Sequence, residues 1–128
     1  MSQTDPIRQI MRDKQLASLG DAYVNFVYSL ALTNLDGHPQ GTKVSDRILA
    51  QAFKQSGLRD QLGSRVTKKD LANASESLLA QAYRKNCLTV EESVRVISQN
   101  PEDPPTGLSD LLKLAAERLR GAQSASLR

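Results

Sequence analysis

Two carboxylates in this chain, Asp21 and Glu76, stand roughly 50 residues apart, each across its helix from an apolar stripe. Carboxylates brought together from two helices suit a hard cation such as Mg²⁺, which takes one or two of them and keeps several waters. Asn73 lies three residues before Glu76 and therefore shares its face. Asp70 adds a carboxylate one turn earlier, and that position equally favours the positive end of a helix dipole. Each of these residues also fits a solvated helix surface, and spacing within one helix does not say whether two helices meet.

The elements that must position them read as helices. At 100° per residue, Leu16, Leu19, Tyr23, Phe26, Val27 and Leu30 share one stripe, with Asp21 opposite. Gly20 lies inside this helix, where glycine costs about 1 kcal/mol relative to alanine. Such a glycine has a reason, and close approach of another backbone is the usual one. In the second segment Leu71, Ala74, Ser75, Leu78 and Ala82 form the stripe, flanked by Leu79. A short helix is expected over residues 6–11, opened by Pro6, and the Asp21 helix over 13–32. Residues 33–42 form a loop, and Ser45 caps the next helix, which ends at Gly57. One short turn over 58–62 follows, and Thr67 caps the Glu76 helix. Thr89 with Glu92 forms a capping box for a helix through residue 98. Residues 100–105 are a rigid break before a last amphipathic helix over 108–120, and residues 121–128 form a flexible tail. No strand pattern and no repeat interrupts this reading.

Composition narrows the function classes. The chain has 128 residues, enough for one domain and one core. Aromatics make up only 4% of it, so Leu, Val, Ile and Ala must fill that core. A single cysteine, Cys87, excludes an internal disulfide framework and a cysteine-based metal site. This usage fits a reducing cytoplasm. His38 sits in a Gly- and Pro-containing loop and has no partner histidine. No apolar run approaches the length of a membrane span, so no membrane partner is expected. The net charge is +3, but residues 43–69 hold seven basic and two acidic residues. That is a local excess suited to a phosphate backbone, although a solvated face with partners elsewhere has the same composition.

These segments carry a family resemblance over about residues 10–98. Leu16-Ala17-Ser18-Leu19-Gly20-Asp21 resembles the Leu-Glu-x-Leu-Gly-Asp helix of ribonuclease III domains. Ala72-Asn73-Ala74-Ser75-Glu76 resembles the family's later Ala-Asp-x-x-Glu helix. Residues 44–50 and Gly57-Leu58 are similar to its middle helices. The chain looks most like the short archaeal and mini-ribonuclease III types that carry the nuclease domain alone. The departures are specific. Ala17 replaces the first-helix Glu, Lys14 stands at an earlier acidic position, and Asn73 replaces an Asp. Ser18 stands where the family often has an aromatic.

The resemblance implies an all-α, ribonuclease III endonuclease-domain-like bundle of about six to seven helices. It would form a single domain over residues 1–120, with no double-stranded-RNA-binding domain. It implies a metal-dependent endoribonuclease that cuts double-stranded or structured RNA as a homodimer. Asp21 and Glu76 would be the catalytic pair, and Asp21, Asn73 and Glu76 would hold Mg²⁺ or Mn²⁺. Lys43, Arg47, Arg65, Lys68 and Lys69 would contact the RNA backbone. The alternatives are a degenerate member that binds structured RNA without cutting it, and a helical adaptor alike in fold only.

Overall fold

The computed structural model describes residues 5–126, with side chains through 122. Within them all regular secondary structure is helical, in the order 3₁₀ turn Ile10–Arg12, α1 Lys14–Asp36, α2 Asp46–Gln55, 3₁₀ turn Arg59–Leu62, α3 Lys68–Arg84, α4 Val90–Ser98 and α5 Pro104–Ser126. The all-α expectation holds. The expected count of six to seven resolves into five α-helices and two short 3₁₀ turns, because residues 6–11 and 58–62 are too short to build α-helix.

Local chemistry sets most boundaries. Asp13 caps α1 by accepting from the N–H groups of Gln15 and Leu16. Ser45 caps α2. Thr67 with Asp70 and Thr89 with Glu92 form full capping boxes for α3 and α4. Gly37, at φ 82°, ends α1 in the left-handed conformation, four residues beyond the expected end at residue 32. The last helix also begins earlier than expected. Pro104 and Pro105 occupy its first turn, where a missing N–H costs nothing. Its backbone runs past Gly121 to Ser126, where the composition suggested a tail.

Helix α3 is the hub, packing against α1, α2, α5 and the first 3₁₀ turn. Leu71, Ala72, Ala74, Leu78, Leu79 and Ala82 are all buried, so it has no broad solvent face. Two serines fix its rotation. Ser75 Oγ donates to the Leu49 carbonyl on α2, at 3.3 Å. Ser77 Oγ donates to the Asp13 carbonyl at the start of α1, at 2.8 Å. Residue 76 lies between these two ties.

The buried face of α1 differs from the expected stripe. Leu16, Tyr23 and Val27 are buried, but Leu19 and Phe26 are exposed. Ala17, Gly20, Val24 and Ala31 take their place inside. The helix is rotated toward its small residues because these allow α3 to come close. Large apolar residues dominate a periodicity count, whereas small ones dominate a tight helix seam.

Candidate active site

The seam between α1 and α3 closes at Gly20. A Cβ built there would lie 2.8 Å from the Glu76 Cα and closer still to its carbonyl group. No other residue type fits without moving one helix. This contact brings residue 21, the next on α1, alongside residue 76 of α3. Asp21 therefore flanks the seam rather than facing away from it, and its side chain is about half exposed (46%). Glu76 is 5% exposed.

The two carboxyls respond to each other. Burial pushes Glu76 up to about 8, with a hydrogen bond to Asp21 and repulsion from Asp21 and Asp46 adding to it. Asp21 is held below its ordinary value, first by that same hydrogen bond from Glu76 and then by Lys43 and Asn25. The pair thus holds one proton between them at neutral pH, and it titrates as a pair rather than as two independent groups.

Around this pair an open cleft of about 1060 Å³ is walled by Lys14, Ala17, Ser18, Asp21, Lys43, Ser45, Asp46, Arg47, Thr67, Lys68, Lys69, Asp70, Asn73 and Glu76. Asp21, Asn73 and Glu76, the residues assigned to the metal on resemblance, all line it. So do Lys43, Arg47, Lys68 and Lys69. Arg65 does not. It occupies the turn before α3 at φ 61°, outside the cleft lining. Arg47 and Lys68 also line a neighbouring groove with Lys54 and Arg59, two cations counted in the basic stretch but not singled out. Asp46 was missed as a site residue. It opens α2 at the cleft wall, pairs with Lys69 at 3.3 Å and raises Glu76 through space. Its position immediately after the Ser45 cap was the available signal.

Asp70 proves to be committed locally. Its carboxylate accepts from Thr67 N–H at 2.9 Å, and its own N–H donates to Thr67 Oγ1. The Thr67 N–H and hydroxyl beside it hold its carboxyl below the ordinary range. It lines the cleft as the cap of α3. Among the described residues no group of three or more His, Cys, Asp and Glu side chains has the geometry of a metal site. The donor set is therefore two carboxylates and one amide. It fits a single hard divalent cation that keeps water in its remaining positions. The cationic rim fits a polyanion, and no described helix is long and apolar enough to cross a membrane.

No curated protein matches the chain. The ribonuclease III family profile matches residues 14–116, which span α1 through most of α5 and include every residue of the cleft. The chain, with its Leu-Gly-Asp turn of helix seated on the backbone of Glu76, belongs to the ribonuclease III family.

Proposed function

We propose that this protein is a metal-dependent endoribonuclease that cuts double-stranded or structured RNA. Membership of the family supports a role in RNA processing. The observation that carries the finer reading is the Gly20 contact, which sets Asp21 against a buried Glu76 inside a cation-rimmed cleft. Asp21 and Glu76 would hold one Mg²⁺ or Mn²⁺, with the Asn73 amide oxygen as a neutral third donor. Such an ion, when bound, supplies water activation and stabilises charge on the scissile phosphate.

The rest falls to the chain's own residues. Glu76 would give up its proton to solvent on binding the ion, so that both carboxylates act as donors. Ser75 and Ser77 hold α3 in rotation, so Glu76 keeps its aim. Arg47, Lys68 and Lys69 line the cleft at its rim and meet the phosphate backbone, leaving recognition to duplex shape and 2′-hydroxyls. The exposed Leu19 and Phe26 lie seven residues apart on one face of α1. That face suits a homodimer, which would bring one site to each strand.

The test is cleavage of a long labelled RNA duplex with Mg²⁺ or Mn²⁺, wild type beside Glu76→Gln. Discrete short products from the wild type alone are expected. Duplex binding without cleavage under both metals would overturn this reading in favour of a non-cutting RNA-binding protein. One observation favours that second reading: the three departures at acidic positions of the family pattern, Lys14, Ala17 and Asn73, line the cleft itself.

A further inference from the structure

The cations of the cleft are not equivalent. Lys69 is paired with Asp46. Among the described residues Lys43 is the cation paired with Asp21, its Nζ 3.3 Å from Oδ1. The same oxygen accepts from Asn25 Nδ2 at 3.3 Å. Asn25 Oδ1 in turn accepts from Val44 N–H at 2.7 Å. One turn further along α1, Ser29 Oγ donates to the Thr42 carbonyl at 3.0 Å and accepts from Thr42 N–H at 2.7 Å. Asp21, Asn25 and Ser29 follow at successive turns of α1, and residues 42–44 lie along them. The backbone is therefore pinned on both sides of Lys43. Its side chain is 70% exposed. A long, flexible ammonium stem stands at a fixed point of the cleft wall, bonded to one oxygen of a proposed metal donor.

We propose that Lys43 is an exchangeable cation for Asp21, holding Oδ1 until a divalent ion takes it and then turning to a phosphate of the RNA. The proposal rests on the metal-dependent reading above and extends it by giving Lys43 two stations. It also makes Asn25 and Ser29 positioning residues for the segment that carries it. An exposed ion pair of this kind is weak, so the ammonium yields to a divalent competitor at little cost. Once displaced it remains at the cleft wall, where its positive charge meets a phosphate. A buried lysine would instead lock the carboxylate, and a lysine on a loose loop would drift from the cleft.

The test is calorimetric titration of Mn²⁺ into the full chain as wild type, Lys43→Met, Lys43→Arg and Asp21→Asn. Removing the competitor is expected to make Lys43→Met bind Mn²⁺ about three- to fivefold tighter, with Lys43→Arg close to wild type and Asp21→Asn deprived of binding. A second readout is duplex RNA binding at saturating Ca²⁺ over a range of salt. Lys43→Met is expected to bind more weakly, with the salt slope reduced by about one. Unchanged or weaker Mn²⁺ affinity in Lys43→Met, with Asp21→Asn still defective, overturns the exchange and leaves the metal site standing. An unchanged salt slope overturns the second station. Absence of Mn²⁺ binding by the wild type defeats the metal reading and this proposal with it, and is distinguishable from either.

Discussion

Glu76 makes the fold sensitive to pH in the direction that burial sets, opposite to that of carboxylates stabilised in ion pairs. Its carboxyl is raised from 4.5 to about 8 by burial and by Asp21. Between those values the folded chain holds more protons than the unfolded one. Stability therefore falls as pH rises through about 4.5 to 8 and levels off above it. At about 1.4 kcal/mol per pH unit, the full effect is at most about 5 kcal/mol. Asp21 is lowered from 3.8, so its own linkage falls below this window, and discounting Glu76 for coupling within the pair leaves about 2–4 kcal/mol as the working figure. Glu76→Gln keeps the shape and burial and removes the charging cost. The assay is thermal melting of both proteins in EDTA at pH 5 and pH 8. Other titrating groups are common to the two, so the difference between them isolates this carboxyl. The variant is expected to melt close to wild type at pH 5 and about 10 °C higher at pH 8. Mn²⁺ added at pH 8 should raise the wild type and leave the variant unmoved. Parallel melting of the two proteins from pH 5 to 8 would refute the reasoning, since it would mean that Glu76 ionises without cost.

Gly20→Ala is expected to force α1 from α3, costing about 3 kcal/mol or more in urea unfolding and abolishing Mn²⁺ binding. Near-wild-type stability would show that the seam can relax. Asp70→Ala should cost about 1 kcal/mol through loss of the capping box and leave Mn²⁺ affinity within about twofold; a larger loss would make Asp70 a metal donor. Arg47→Ala and Lys68→Ala should each reduce the salt slope of duplex binding by about one, with stability changed by less than about 0.5 kcal/mol. A salt slope equal to wild type would remove that residue from the RNA surface.

Features set by neighbouring residues were legible in the sequence. Ser45, Thr67 and Thr89 cap helices because short polar side chains satisfy free N–H groups within their own turn, and each does so here. The motif carrying Asp21 and Glu76 was legible too, as was the meaning of Gly20, since a mid-helix glycine asks for a close neighbour. What spacing did not carry was which face of α1 that neighbour takes. The count of large apolar residues placed Leu19 and Phe26 inside, yet the seam is built on Ala17, Gly20, Val24 and Ala31. Small residues carry little hydrophobic weight and decide how closely backbones approach. The same blindness hid the burial of Glu76, since α3 is enclosed by elements distant in sequence. Pro104 and Pro105 read as a break because proline ends a helix more visibly than it begins one.

On the proposed metal-dependent reading, the charges of the cleft argue for one ion rather than two. Of its carboxylates, Asp70 is committed to the cap of α3, and Asp46 is engaged by Lys69 in an exposed pair. Asp21 and Glu76 already resist double ionisation at neutral pH. A third carboxylate at residue 17 or 73 would raise that cost further unless a second cation came with it. This chain has Ala17 and Asn73 there, both neutral, and Lys14 supplies a fixed positive charge from the same wall. The departures are thus mutually consistent: each removes negative charge, or adds positive charge, where a second divalent ion would need the reverse. Two carboxylates facing one divalent ion are neutral together, and the remaining cations of the rim are then free to meet phosphate.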